Sequence, residues 1–262
     1  MLTWDAEDYA RNSTVQFEWA QQLIGRLALR DDDALLDIGC GDGRIDALLA
    51  GRVARGRVVG IDASADMIRL ASERFPPSRH PNLSFVQMDA RRIRLPGTFQ
   101  VAFSNAALHW VDDHEAMLRG VRACLAPGGQ ILFQMGGRGN AAGILAVVWE
   151  VTRAAGWRES FAGLAPAWHF HGPEDYREWL PRCGFRPERL ELLPRDMRYR
   201  DTDGLRGWLR STWLPFTERL PPARRESFLD DAVRAYVSAY PPDADGTIHV
   251  AMVRLEVEAA AV

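Results

Sequence analysis

The 262-residue sequence contains few cysteines, and the three present lie far apart. Cys40, Cys124 and Cys183 form no CxxC pair, which argues against a disulfide framework and against a structural zinc site. No charge of one sign dominates, since 32 lysines and arginines stand against 35 aspartates and glutamates. The clustered basic face that nucleic acid requires is therefore not expected.

Long hydrophobic runs are also absent, and no window approaches the roughly 20 apolar residues of a membrane span. The first residues, MLTWDAEDYARNS, lack the basic and apolar regions of a signal peptide. Hydrophobic residues make up 47% and charged residues 26% of the chain, the balance of an ordinary globular protein. We expect a cytoplasmic protein with no nucleic-acid or membrane partner.

The first two-thirds of the chain alternates short β-branched runs with helical stretches, the pattern of a parallel sheet flanked by helices. The predicted strands are 34–39, 57–62, 83–89, 99–105 and 130–135, the last preceded by a turn at 126–129. The predicted helices are 42–53, 64–75 and 113–124, of which the second has Ser64 as its cap.

After Met135 the pattern loosens into helices at 141–155 and 174–183, a strand at 185–193, two or three further helices, and an alternating strand from Ile248. We expect a seven-stranded, mostly parallel α/β sheet with helices on both faces. Its predicted parts are an N-terminal helical segment over the active site (1–30), an α/β core that binds the cofactor (31–194), a helical substrate cap (195–246) and a final core strand (247–262).

A glycine-rich loop, Gly39-Cys40-Gly41-Asp42-Gly43, directly follows the first buried strand. Glycines at alternate positions let the backbone turn tightly and approach a ligand closely. Asp62 ends the second strand about twenty residues later, where a carboxylate accepts hydrogen bonds from two ribose hydroxyls. The loop thus predicts a nucleoside-containing cofactor at the carboxyl end of the sheet.

Two cofactor classes share this geometry. Dinucleotide binders require G-x-G-x-x-G, but here Arg44 occupies the third glycine position. S-adenosylmethionine needs no pyrophosphate site, so Arg44 does not interfere with it. The acidic Asp37 before the loop also suits a cofactor with a cationic amino acid end.

The segments LLDIGCGDGRI, VVGIDASADMI, the pair Asp89-Ala90 and FSNAALHWV resemble motifs of class I S-adenosylmethionine-dependent methyltransferases. The resemblance covers about 35–135 and implies a Rossmann-like sheet whose last two strands form a reversed hairpin. It implies that Gly39 and Gly41 contact the methionine part of the cofactor and that Asp62 contacts the ribose. The implied adenine contacts are Ala63, Met67, Asp89 and Ala90. Asn105 and Ala106 would lie under the sulfonium.

Two segments, DYARNSTVQ (8–16) and SNAALHW (104–110), resemble small-molecule carboxyl methyltransferases of the salicylate, trans-aconitate and juvenile hormone acid type. The resemblance implies that Gln16 and Trp110 hold the substrate carboxylate and that Tyr9 and Asn12 lie at the cofactor. A carboxylate is already ionised at neutral pH, so methyl transfer to it requires orientation but no general base.

Each of these residues also has a structural interpretation. Trp110 could be a core aromatic residue, and Gln16 could be a solvated residue of an N-terminal helix. His109 could pack behind the site, contact the substrate or act as a base. A base would favour an alternative reaction, methylation of carbon or of a hydroxyl group in a natural-product pathway.

Other interpretations remain open at this stage. His169 and His171 form an HxH pair without a third ligand, so no metal site is predicted. Methylation of a carrier-bound malonyl acid, a non-catalytic cofactor-binding scaffold and an NAD-dependent oxidoreductase are further alternatives. Several tryptophans beyond the cofactor region form either the cap's own core or an apolar substrate pocket: Trp149, Trp157, Trp168, Trp179, Trp208 and Trp213.

Overall fold

The computed structural model describes the backbone of residues 14–262 and the side chains of residues 19–262. Seven strands form one sheet in the order β3-β2-β1-β4-β5-β7-β6. Strands β1 to β5 pair in parallel, and β7 pairs antiparallel with β5. The strands are β1 (Ala34–Ile38), β2 (Arg57–Asp62), β3 (Leu83–Gln87), β4 (Phe99–Asn105), β5 (Leu125–Gly136), β6 (Phe185–Tyr199) and β7 (Ile248–Ala261).

The helices alternate with the first strands and then dominate the second half of the chain. Two short 3₁₀ turns, Ala90–Arg92 and Leu108–Trp110, follow β3 and β4. The helices are α1 (Thr14–Ile24), α2 (Arg44–Arg52), α3 (Ala65–Arg74), α4 (His114–Cys124), α5 (Ala142–Arg153), α6 (Pro173–Arg182), α7 (Thr202–Thr212), α8 (Leu214–Thr217) and α9 (Pro222–Ala239).

The central strands are apolar on both sides because helices cover both faces of the sheet. Every residue of β1 is buried, and its apolar side chains are divided between two hydrophobic clusters. Leu36 and Ile38 belong to the cluster that contains α4 and α6, whereas Leu35 belongs to the cluster that contains α1 and α2. The predicted Rossmann-like fold with a mostly parallel seven-stranded sheet is confirmed.

Three of the predicted boundaries were wrong for an identifiable reason. Helix α2 begins at Arg44 rather than Asp42, because Gly43 is left-handed with φ of 79°. Strand β5 begins at Leu125, opposite Phe99, and the predicted turn at 126–129 is an irregularity inside that strand. Strand β6 continues past Pro194 to Tyr199, which an edge strand permits because proline there loses no required ladder bond.

The chain divides into two compact units. The sheet unit comprises, within the described residues, 14–138, 168–193 and 254–262. The helical unit comprises 139–167 and 194–253, so it includes α5 as well as α7 to α9. Within residues 14–262, no helix has the length and apolar character needed to cross a membrane.

Aromatic side chains form the core of the helical unit. Trp157 and Phe161 contact Phe228, and Trp213 packs against Phe216. Trp157, Trp208 and Trp213 are all buried within this unit. These tryptophans therefore form the unit's own core, one of the two interpretations that the sequence left open.

Candidate functional site

The carboxyl ends of β1, β2 and β4 meet at one edge of the sheet. Asp37 lies opposite Gly60 of β2 on one side and opposite Phe103 of β4 on the other. Beyond the strand, the backbone N–H of Gly39 donates a 2.7 Å hydrogen bond to the carbonyl of Ile61. Parallel pairing therefore places the glycine loop beside the end of β2, where α/β sheets bind ligands.

Close approach explains two of the loop glycines. Gly39 has φ of 80°, and a Cβ there would lie 2.2 Å from the Cβ of Ala107. Gly43 has φ of 79°, and its Cβ would lie 2.6 Å from the Phe85 ring. Gly41 has φ of 55°, but a Cβ there would meet nothing within 4 Å. The loop is thus packed at both ends and open at Gly41, which leaves room for a ligand against its backbone.

Asp62 fastens this loop and the following helix. Its Oδ2 accepts a 3.1 Å hydrogen bond from the N–H of Gly41, and its Oδ1 accepts one of 2.8 Å from the N–H of Ser64. Burial raises the pKa of Asp62, while these two donors act in the opposite direction. Ser64 in turn caps α3 by accepting from the N–H of Met67, as predicted. Each Asp62 oxygen keeps acceptor capacity for a ribose hydroxyl.

Asp37 is 2% exposed, and burial raises its pKa to about 7. Its Oδ1 receives no hydrogen bond from any side chain or backbone group in the part of the chain that the structure describes. A buried acceptor of this kind suits an ammonium group. The open loop at Gly41, the acceptor Asp62 and Asp37 together fit the ribose and amino acid parts of S-adenosylmethionine.

The predicted adenine-contact residues lie along the neighbouring strand ends. Met67 is buried in α3, and the carbonyl of Ala63 accepts a 3.2 Å hydrogen bond from Gln87. Asp89 accepts hydrogen bonds from the backbone and guanidinium of Arg91, so its pKa is below the usual value. Ala90 begins the adjoining 3₁₀ turn. Their contacts with adenine stay a prediction.

Asn105 and Ala106 end β4 at the same edge. Asn105 is 9% exposed and lies opposite Gln134 of β5. Ala106 has φ of 55°, a left-handed conformation that costs a non-glycine residue about 1–2 kcal/mol. Its N–H donates a 2.8 Å hydrogen bond to the carbonyl of Gln134, which holds this turn in place. The chain is therefore bent sharply where the sulfonium contact is predicted.

His109 follows in the next 3₁₀ turn, and its ring accepts rather than donates at Nδ1. The N–H of Gly136 donates to this nitrogen at 3.3 Å, so the neutral ring has its proton on Nε2. Burial, together with the positive charge of Arg254, lowers the pKa of His109 to about 3. His109 is accordingly a neutral hydrogen-bond donor at physiological pH.

Trp110 is partly buried, and it contacts aromatic rings that the sequence analysis did not assign to this site. Its ring centroid lies 5.4 Å from that of Trp168 and 5.7 Å from that of His109. The segment with Trp168 is held there because His169 donates its N–H to the carbonyl of His109 at 2.8 Å. Trp168 lies beyond the predicted cofactor region, and no local sequence signal indicated this long-range contact.

The HxH pair forms no metal centre with other described residues, where no group of three or more potential ligands is found. His171 lies instead in an aromatic cluster, with its ring centroid 4.5 Å from that of His114 and 4.8 Å from that of Trp179. His169 is bonded through its backbone to His109, so the pair belongs to a segment that runs beside Trp110.

Of the N-terminal candidates, Tyr9 and Asn12 lie outside the described residues. Gln16 lies in α1, although its side chain is also outside the described set. Trp19, in the middle of α1, and Arg26, just after the helix, both contact β7. Trp19 lies under the guanidinium of Arg254 at 4.6 Å, and Arg26 forms an ion pair with Glu256 at 2.5 Å.

Glu256 is 3% exposed and accepts from Arg26, Gln134 and Arg189. Burial alone would raise the pKa of Glu256, but these donors outweigh it and hold the pKa below its usual value. The carboxylate thus stabilises the fold above the unfolded-state pKa of about 4.3, and this contribution is lost as pH falls through the lower folded-state pKa.

We expect Glu256→Gln to lower the melting temperature at pH 7 by about 2–4 °C, as for a loss of about 1 kcal/mol. The difference from the wild type should shrink as the pH falls from 5 to 3, measured by thermal unfolding across that range. Glu191→Gln is the matched control, since Glu191 also pairs with Arg189 but is half-exposed. A difference that did not change with pH would contradict the assignment.

Comparison with known proteins agrees with this geometry. A family model described as a methyltransferase domain matches residues 35–129. The chain is 30% identical to a trans-aconitate 2-methyltransferase of Rhodopseudomonas palustris over 99% of both chains. It is 31% identical to one of Variovorax paradoxus over 97% of both.

Among solved structures, the geranyl diphosphate C-methyltransferase of Streptomyces coelicolor, crystallised with S-adenosyl-L-homocysteine, matches with a TM-score of 0.56. The sequence identity is 15%, and the match covers 94% of this chain and 81% of that one. At this identity the likeness concerns the fold alone.

Proposed function

Because this chain belongs to the class I S-adenosylmethionine-dependent methyltransferases, we propose that it methylates a carboxylate of a small organic acid. The relatives named trans-aconitate 2-methyltransferase align over nearly the full chain, which supports an acid as acceptor. The second support comes from His109. This histidine adjoins Trp110, the residue predicted to donate a hydrogen bond to the substrate carboxylate.

His109 is poorly suited to remove a proton. Its Nδ1 is occupied by the N–H of Gly136, and a ring with a pKa near 3 is a weak base. Methylation of a hydroxyl or of carbon needs a base whose pKa lies near the working pH. A carboxylate brings its own electron pair and no proton, so this environment favours it over the alternative acceptors.

The bound cofactor supplies an electrophilic methyl group. We propose that the chain's own residues then orient the acceptor: Gln16 and Trp110 each donate a hydrogen bond to the carboxylate. Neutral donors suit this task, because a cation would stabilise a negative charge that disappears in the transition state. Orientation of the two reactants can supply roughly 7–11 kcal/mol of rate acceleration.

A methyl-transfer screen tests the proposal. The protein would be incubated with S-adenosylmethionine and separate small carboxylic acids, trans-aconitate included, together with phenols and β-dicarbonyl compounds. Mass spectrometry is expected to show methyl esters that mild base hydrolyses. Methylation restricted to carbon or to phenolic oxygen would refute the carboxylate assignment.

His109→Gln is expected to keep most of the activity on the best acid, with kcat/KM reduced about tenfold or less. Removal of a general base would instead cost about 10²- to 10⁴-fold. Glutamine retains an amide donor in place of the Nε2 proton, so hydrogen bonding is conserved while basicity is not. The pH profile of kcat/KM should keep its shape. A loss near a thousandfold, together with loss of a pH-dependent limb, would make His109 a base.

A further inference from the structure

A second buried carboxyl group lies behind the cofactor loop. Asp46 is in the first turn of α2 and is 0% exposed, and Asp37 beside it is 2% exposed. Neither oxygen of Asp46 receives a hydrogen bond from a backbone group or from a basic side chain of the described residues. A buried acid without donors is expensive, so this pair needs a physical explanation.

The backbone shows how Asp46 reaches Asp37. Gly60 of β2 lies opposite Asp37 in the parallel ladder. A Cβ on Gly60 would lie 2.5 Å from Oδ1 of Asp46 and 2.8 Å from the Cβ of Cys40. The missing side chain of Gly60 therefore makes room for the Asp46 carboxyl, which lies beside that of Asp37. Two carboxylates buried side by side repel each other, so one of them is protonated and can donate to the other.

The surroundings decide which one holds the proton. Burial raises the pKa of Asp46 well above its usual value, and the negative charge of Asp37 raises it further. Burial raises the pKa of Asp37 as well, and the neighbouring Asp46 acts in the opposite direction. Asp62, Asp42 and the Cys40 thiol also face the pair, and Asp42 is itself bound by Arg44 and Arg74. A cofactor ammonium beside Asp37 favours the charged form of that residue, so the proton is placed on Asp46.

We propose that Asp46 is a positioning residue that stays protonated and donates its O–H to Asp37, orienting the Asp37 carboxylate toward the ammonium of the cofactor's amino acid end. The proposal rests on the assignment of Asp37 to that ammonium. It does not depend on which acceptor is methylated, so failure of the carboxylate assignment would leave it unaffected. Asp46 itself touches neither the cofactor nor the acceptor in this role.

Binding of S-adenosylhomocysteine, which has the same amino acid end and cannot react, provides the test. Titration calorimetry between pH 6 and 9 would compare the wild type with Asp46→Asn and Asp46→Leu. The asparagine amide replaces the O–H donor, so its Kd should stay within about threefold of the wild type. Leucine offers no donor, and loss of one such bond predicts about tenfold weaker binding at pH 7.

The pH dependence distinguishes positioning from general structural damage. Without the donor the pKa of Asp37 rises, so the leucine variant should be weakest at pH 6 and approach the wild type toward pH 9. Binding of 5′-methylthioadenosine, which lacks the amino acid, should be equal in all three proteins. Should the leucine variant not fold, Asp46→Ala replaces it.

Equal weakening by asparagine and leucine would overturn the proposal, since the conservative donor would then fail to rescue binding. A pH-independent loss, or an equal loss of 5′-methylthioadenosine binding, would also overturn it. Either result would make Asp46 a packing residue of the loop.

Discussion

Replacing Asp62 with alanine is expected to weaken S-adenosylmethionine binding by about 100-fold or more, because two hydrogen bonds from ribose hydroxyls to a charged acceptor are lost together. The same change removes the acceptors for the N–H groups of Gly41 and Ser64. The loop that faces the ligand would therefore lose its fixed position as well. Calorimetric titration with S-adenosylhomocysteine measures the affinity.

A control is needed for a loss of local stability next to Asp62. Ser64→Ala removes the α3 cap, which accepts from Met67, but leaves the Asp62 carboxylate in place. Loss of an N-cap lowers stability by about 0.5–2 kcal/mol, so we expect a lower melting temperature and nearly unchanged affinity. If Asp62→Ala bound the cofactor as well as Ser64→Ala does, the ribose assignment would be wrong.

The second large effect is expected at the proposed carboxylate site. Gln16→Ala and Trp110→Phe should each reduce kcat/KM for the best acid by about 10- to 100-fold, the value of one hydrogen bond to a charged group. Phenylalanine keeps an aromatic ring beside Trp168 while it removes the indole N–H. Initial rates over a range of acid concentrations give the measurement.

Affinity for the cofactor should not change in either variant, which separates acceptor binding from damage to the cofactor site. Trp168→Phe is the matched control, because it alters the same aromatic contact and leaves the Trp110 N–H intact. Full activity in both Gln16→Ala and Trp110→Phe would exclude them as carboxylate donors. A loss in Trp168→Phe as large as in Trp110→Phe would indicate packing instead of hydrogen bonding.

Most of the sheet could be predicted from the sequence because its signals are local. The apolar runs, the glycines after β1 and the acidic end of β2 lie within a few residues of the features that they specify. Local signals were weakest where pairing overrides them. Pro194 would normally end a strand, yet β6 continues through it at the edge of the sheet.

The sequence by itself indicated the cofactor class, because Arg44 replaces the third glycine of a dinucleotide loop and the segments around Gly39 and Asp62 resemble methyltransferase motifs. Only the tertiary structure decided how their environment behaves. Trp168 meets Trp110 across 58 residues of chain, and the carboxyl of Asp46 lies against Gly60, the ladder partner of Asp37. The pKa of His109 likewise depends on burial and on Arg254, which is distant in sequence. Burial and long-range contacts arise when the elements pack, and no local pattern encodes them.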